Sequence, residues 1–322
     1  MKEFAQLIRW KDLTIAFLAL IIIRISIIIP FYLQWMLPPD KTWDIFLTES
    51  FGLVFLFAAN NAAVRFFDEK QRLSDQTKQI VVNIKDYPDL MRLRGVWIVL
   101  LAVGVMAAVS SYIMGRRFDY VHIATVVIMA LGFHYAYSSR HALITGNLET
   151  ALMYSVLILS QIPASFGQVD TFDFNNMHAS FVTIPQLYRL FFIIALFAFL
   201  LALIRDITGD MANIPQDSKH NFKTLAVTLG GNRCKYVLYA LAAVFVLFVA
   251  AFLYVYVYKL EIVQVLTVTV IVILPTVYYA YLLRKATQPT DYDFLYTLTG
   301  MIFISLLFII FFCKYIFINE YF

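Results

Sequence analysis

Two aspartates, Asp206 and Asp210, follow an apolar stretch in the segment IRDITGDMANIPQDSKHNFKTLAVTLG, residues 204–230. Positions i and i+4 of a helix lie on one face, so this spacing brings both carboxylates to the same place. Adjacent carboxylates repel each other, and Mg²⁺, which is commonly held by one or two carboxylates, waters and phosphate oxygens, relieves that repulsion. The pair is a candidate Mg²⁺ site. The alternative is two solvated acids where a helix leaves the membrane.

A second polar group interrupts another apolar stretch, AANNAAVRFFDEK, residues 58–70. Asn61, Arg65 and Asp68 are spaced i, i+4 and i+7, so they share one helix face, and Asn60 precedes them. Polar groups within a membrane helix are costly and usually face the protein interior. They either line a functional cavity or form hydrogen bonds between helices.

Both groups belong to a strongly apolar chain. Of its 322 residues, 61% are hydrophobic and only 14% are charged, and the mean hydropathy is +0.76. Such values indicate a polytopic membrane protein rather than a soluble domain. The net charge of +4 is modest and calls for no nucleic-acid partner. No low-complexity segment or long linker divides the chain, so residues 1–322 are predicted to form one domain.

Nine stretches are long and apolar enough to cross a membrane, which takes about 20 residues. They predict an all-α bundle, with spans centred on Leu13–Ile29, Phe51–Phe67, Val96–Met114, Val121–Tyr137, Leu148–Ile162, Tyr188–Leu203, Val237–Tyr258, Ile262–Leu283 and Leu295–Phe317. Lys and Arg favour cytoplasmic loops. With a cytoplasmic N-terminus, 17 of the 25 basic residues lie inside and five outside, so the C-terminus is predicted to lie outside.

The two polar groups resemble the motifs of a known family. DITGD followed by KTLAVTLG resembles the second aspartate-rich motif of the UbiA superfamily of intramembrane prenyltransferases, written DxxGD. ANNAAVRFFD resembles the first motif, NDxxDxxxD, with Asn60 at the Asn position and Asn61, Val64 and Asp68 at the three Asp positions. The segment YSSRHALITGNL is similar to the family segment after the fourth helix, and its matching residues are Tyr137, Ser138, Arg140, Gly146 and Asn147.

The resemblance implies helices around a central cavity, with both acidic motifs at its cytoplasmic mouth. Mg²⁺ held by Asp206, Asp210 and Asp68 would bind the diphosphate of an isoprenyl donor and neutralise the charge that develops as it leaves. Asn60 and Asn61 would assist in the first motif, and Tyr137 would line the site. Arg65, Arg140 and Lys223 would add positive charge. A lipophilic or aromatic acceptor would capture the prenyl group, with membrane lipid surrounding the protein.

The first motif departs from the family pattern. Because Asn61 and Val64 stand where the family has aspartates, only Asp68 remains as a carboxylate. The same is true in an alternative register that sets Asp68 at the middle Asp position. This departure keeps a second reading open, in which a non-catalytic member of the fold binds a prenyl lipid. A third reading is a transporter whose pathway is lined by Asn60, Asn61 and Arg65. Tyr137 also suits an interfacial anchor.

Overall fold

The computed structural model describes residues 4, 7–34, 41–77, 83–116, 118–139, 142–162, 184–219, 222–256 and 262–312. Within these ranges the regular structure is helical, as the sequence predicts. The helices are α1 (Trp10–Ile23, Arg24–Ile28 and Ile29–Gln34), α2 (Trp43–Thr77), α3 (Pro88–Gly115), α4 (Tyr120–Tyr137), α5 (Thr145–Leu159), α6 (Ile184–Lys219), α7 (Leu225–Leu229), α8 (Gly231–Tyr256), α9 (Ile262–Val268, Thr269–Ile273 and Leu274–Lys285) and α10 (Pro289–Phe312).

Eight of these helices are long and apolar enough to cross a membrane: α1, α2, α3, α4, α6, α8, α9 and α10. The chain is therefore an all-α, polytopic membrane protein. The remaining predicted span, Leu148–Ile162, corresponds to α5, which has only 15 residues. Since α5 packs along both α4 and α6, it completes the bundle despite its length. The five-residue α7 is a short helix between α6 and α8.

Two membrane helices contain a π-helical turn, and a proline follows each one. In α1 the turn Arg24–Ile28 comes before Pro30, and in α9 the turn Thr269–Ile273 comes before Pro275. Proline has no N–H and its ring collides with the carbonyl of residue i−4, so the regular hydrogen-bond ladder cannot continue through it. The wider π turn accommodates this interruption without breaking the helix.

α6 is the central helix of the bundle. It packs against α5, α8 and α10 along its length and against the short α7. α1 contacts α2, α5 and α10, so it closes the ring of helices between α2 and α10. α3 packs outside this ring, mainly against α2. Asp206 and Asp210 lie toward the C-terminal end of α6, which continues beyond them to Lys219, and they are therefore surrounded by helices. We call this end of the bundle the site end.

A network of buried charges holds the opposite end together. The Nζ atom of Lys41 lies 2.7 Å from Oε2 of Glu49 and 2.9 Å from Oδ2 of Asp119. Arg24 of α1 donates to the backbone carbonyl of Lys41. Asp119 also caps the first turn of α4, together with His122. Because the network joins α1, α2 and the start of α4, it fixes their relative positions far from the site end.

Close packing between α2 and α4 depends on a glycine. Asn60 of α2 is 8% exposed and lies against Gly132 of α4, with its Nδ2 atom 3.5 Å from the carbonyl oxygen of Ile128 and 3.5 Å from the sulfur of Met153. A Cβ atom at Gly132 would lie 1.9 Å from Nδ2 of Asn60. Asn60 therefore lies in an interface between helices, which is the hydrogen-bonding alternative that the sequence left open.

We predict that Gly132→Ala destabilises the protein, because the added methyl group forces the buried Asn60 amide out of its position. Overpacking of this kind costs about 1–3 kcal/mol. The matched control is Gly95→Ala on α3, where an added Cβ meets nothing within 4 Å. In thermal unfolding of the detergent-solubilised protein, Gly132→Ala should lower Tm by several degrees. Equal Tm values for the two variants would contradict the packing role of Gly132.

Candidate functional site

The structure brings Asp206 and Asp210 together, as their spacing predicts. One amide group links them: Nδ2 of Asn147 donates to Oδ2 of Asp206 at 3.0 Å and to Oδ2 of Asp210 at 2.9 Å. Asn147 belongs to the first turn of α5 and is only 4% exposed. The two hydrogens of one amide thus bind one oxygen of each carboxylate. This bridge partly offsets the repulsion between the two negative charges.

The packing of α6 fixes the orientation of the helix face that carries Asp206 and Asp210. On the other side of the helix, Thr208 is fully buried and its hydroxyl forms a 2.7 Å hydrogen bond with the hydroxyl of Tyr279 on α9. Ile207 and Met211 are also buried in the core. The ring of Tyr296 packs against this turn at Gly209, where an added Cβ would lie 3.4 Å from the ring, at ordinary van der Waals distance. With this side of α6 packed in the core, Asp206 and Asp210 lie on the face of α6 that contacts Asn147 of α5.

A small polar cavity of about 20 Å³ lies beside Asp206. This volume is about that of one water molecule. Its wall is made by residues of α1, α5, α6 and α10, namely Arg9, Asp12, Thr150, Tyr154, Ala202, Arg205, Asp206, Tyr296 and Phe303. Arg205 and Asp12 form a buried ion pair across it. The guanidinium of Arg205 also lies over the ring of Tyr296, 4.4 Å from its centroid.

Three of these residues were not singled out from the sequence. From the sequence, Arg9 and Arg205 are only two of the basic residues assigned to the cytoplasmic side, and Asp12 belongs to no motif. A signal was nevertheless present, because Asp12 and Arg205 are charges at the edges of strongly apolar stretches. A buried charge in such a position needs a partner of opposite sign.

The residues of the first motif do not form a metal cluster with the aspartate pair within the described part of the chain. Asn61 donates from Nδ2 to the backbone carbonyl of Ile8 at 3.0 Å, and Asn60 lies between helices as described above. Arg65 is exposed, and Asp68 is half-buried. Among the described residues, no three His, Cys, Asp or Glu side chains converge to form a metal centre. Asp68 therefore does not complete a three-carboxylate cluster with Asp206 and Asp210.

Lys223 contributes to a larger cavity at the site end. The cavity has a volume of about 490 Å³ and is lined by Gln71, Ser138, Ala142, Leu143, Phe222, Lys223 and Thr228. It lies between the end of α2, the connection from α4 to α5 and the segment leading into α7. Tyr137 is 67% exposed and its ring stacks on Phe133. Arg140 lies outside the described residues.

The aspartate pair suits one Mg²⁺ ion. Mg²⁺ binds oxygen ligands, usually one or two carboxylates completed by waters and phosphate oxygens. Asp206 and Asp210 offer carboxylates from one helix face, and the amide of Asn147 lies between them. Rotation of the Asn147 amide by about 180° would exchange Nδ2 and Oδ1. Oδ1 would then lie between the two carboxylates and act as a third oxygen ligand. The first motif offers no comparable set of oxygens.

Comparison with solved structures identifies the fold. A structure described as that of digeranylgeranylglyceryl phosphate synthase has a TM-score of 0.60 and 17% identity, covering 96% of this chain and 98% of that one. A UbiA homologue from Archaeoglobus fulgidus bound to GPP and Mg²⁺ has a TM-score of 0.58 and 16% identity, covering 96% and 99%. The homologue bound to DMAPP and Mg²⁺ gives 0.57 and 16% over 96% and 98%. Neither a family model nor a curated protein sequence matches the chain.

These likenesses extend over nearly the whole of both chains. The protein therefore has the helical membrane fold of the UbiA superfamily, and the resemblance suggested by its motifs is confirmed at the level of the fold. Because the identities are 16–17%, the likeness establishes architecture and leaves the chemistry to be argued from the residues.

We predict that Asn147→Ala destabilises the protein in the absence of divalent cations. The variant loses two hydrogen bonds to carboxylates, and such bonds are worth about 1.5–3 kcal/mol each. Its Tm in chelator should fall below that of the unsubstituted protein, and Mg²⁺ should raise it by more than it raises the parent, because the cation then takes over the compensation that the Asn147 amide gave. The control is Asn213→Ala, an exposed asparagine on α6. A response to Mg²⁺ equal in both variants would show that Asn147 does not relieve the repulsion.

Proposed function

We propose that the protein transfers an isoprenyl group from an isoprenyl diphosphate to a lipophilic or aromatic acceptor within the membrane, in a reaction that requires Mg²⁺. The observation that supports this most directly is the pair of carboxylates bridged by Asn147 at one end of a UbiA-type bundle. A homologue with this fold is described as bound to GPP and Mg²⁺. The carboxylates present here have the chemistry needed for the same pair of ligands.

In this proposal residues 1–322 act as one membrane domain, and the chain positions the donor at its site end. Asp206 and Asp210 hold the cation, which supplies the positive charge needed to bind and activate the diphosphate. Asn147 fixes the orientation of both carboxylates. Lys223, on the wall of the 490 Å³ cavity, is placed to bind phosphate oxygens. Arg65, Arg140 and Tyr137 remain proposed contacts, as do Asn60, Asn61 and Asp68 of the first motif.

The apolar tail of the donor would lie among the helices or in the adjacent lipid, since it gains nothing from contact with water. Departure of the diphosphate leaves an allylic cation, whose capture by the acceptor forms the new bond and releases a proton. We place the site end on the cytoplasmic side, with the C-terminus outside, because most of the Lys and Arg residues belong to the loops at that end.

We predict that the purified protein releases diphosphate from an isoprenyl diphosphate only with Mg²⁺ and an acceptor, and that Asp206→Asn reduces this rate about 10²- to 10³-fold. That is the usual effect of removing one group that stabilises developing charge. The measurement is diphosphate release in nanodiscs, with GPP and DMAPP as donors and a membrane extract as the source of acceptors. Mass spectrometry of the product would identify the acceptor.

The matched control is Asp293→Asn, which makes the same substitution at an exposed aspartate near the start of α10. It should leave the rate unchanged. Donor binding without release under any condition would favour the non-catalytic reading, and flux of a solute across liposomes would favour the transporter. An Asp206→Asn variant with full activity would refute the assignment of this carboxylate.

A further inference from the structure

The chain makes an unusual turn just before α1. Arg9 has φ 52° and ψ 54°, and only Arg9 and Arg116 among the described non-glycine residues have positive φ. A left-handed conformation costs an L-residue about 1–2 kcal/mol, and such strain persists where the surroundings enforce it, often at functional sites. Here Asn61 binds the preceding carbonyl, that of Ile8, at 3.0 Å. The first-motif helix α2 thus holds the turn.

The turn directs Arg9 into the small cavity beside Asp206. Its side chain lines that cavity together with Asp206 and Tyr296. Arg9 remains exposed, so a solute can reach it.

The other cation of the cavity is already neutralised. Arg205 is ion-paired with Asp12, and both side chains are buried. None of the ion pairs within the described part of the chain includes Arg9. Of the two arginines that line this cavity, Arg9 is therefore the one whose charge can compensate an incoming anion.

The first motif does not offer a second metal ion a set of ligands comparable with Asp206 and Asp210. The Asn61 amide is engaged with the backbone of Ile8, and Val64 has no ligand atom. Asp68 is the one carboxylate among the matched positions of the first motif, and it does not join the aspartate pair in a cluster of three acids within the described residues. Asn61, at a position where the family motif has an aspartate, thus anchors the turn that carries Arg9.

We propose that Arg9, positioned by the hydrogen bond from Asn61 to Ile8, binds the diphosphate of the donor and supplies the positive charge that a second metal ion would otherwise provide. This inference rests on the proposed prenyl donor. It makes Arg9 a substrate-binding residue and Asn61 a positioning residue, with one Mg²⁺ bound by Asp206 and Asp210. A guanidinium suits this role because it donates two parallel hydrogen bonds to phosphate oxygens.

The test is a titration of the nanodisc-embedded protein with a geranyl diphosphate analogue in which sulfur replaces the bridging oxygen, so that it binds without being cleaved. We expect Arg9→Gln to weaken binding about 10- to 100-fold, the range for one charge-assisted contact. The loss should persist in chelator, because it does not depend on the metal. Arg9→Lys keeps the charge and should lose less. Lys11→Gln, which removes an exposed charge two residues away, should bind like the parent.

The role of Asn61 is tested by a double-mutant cycle. Asn61→Ala should weaken binding of the analogue in the parent, but should add little in the Arg9→Gln background, because both changes remove the same contact. Fully additive effects would overturn the positioning role. Counting Mn²⁺ ions bound with the analogue by electron paramagnetic resonance should give one per chain, and two per chain would overturn the inference.

The outcomes separate this inference from the function on which it rests. If the unsubstituted protein binds the analogue and Arg9→Gln binds equally well, Arg9 is not a ligand and the prenyl donor assignment stands. If the unsubstituted protein does not bind the analogue with or without Mg²⁺, the donor assignment itself fails, and the role of Arg9 with it. Binding without turnover would reject prenyl transfer, while the titrations would still decide the role of Arg9.

Discussion

The buried ion pair between Arg205 and Asp12 is the interaction on which the site end depends. It joins α6, the central helix, to α1, which closes the ring, across 193 residues of sequence. Removal of one partner from a buried pair typically costs about 3–5 kcal/mol, because the other charge is left without compensation. Loss of either residue would therefore both loosen α1 from α6 and leave a charge next to Asp206. The pair serves the architecture and the electrostatics of the site together.

Charge compensation explains how three carboxylates, those of Asp12, Asp206 and Asp210, are accommodated in an apolar bundle. Asp12 is neutralised by Arg205, and the Asn147 amide donates to both Asp206 and Asp210. Each compensating group comes from a different helix from the carboxylate that it binds. The residues that compensate the negative charge are thus brought together only in the assembled bundle. In a chain with separated helices the same carboxylates would have to be solvated or protonated.

The sequence predicts the architecture well, because membrane helices are recognised from local apolar runs. It also predicts that Asp206 and Asp210 share a face, since that follows from helical geometry alone. It does not predict the bridge from Asn147, which depends on the packing of α5 against α6. Nor does it predict that Asn61 turns toward Ile8. That contact requires a left-handed residue at Arg9, and a non-glycine residue gives no local signal for such a conformation.

The departure of the first motif from the family pattern has a structural explanation that the residues alone did not suggest. Read along the sequence, Asn61 looks like the loss of a metal ligand. In the structure its amide is a hydrogen-bond donor, and it binds a backbone carbonyl that a carboxylate could not bind, because both groups are acceptors. An aspartate at this position would repel the Ile8 carbonyl and release the turn. The asparagine thus supports the path of the chain before α1, which carries Arg9 to the cavity beside Asp206.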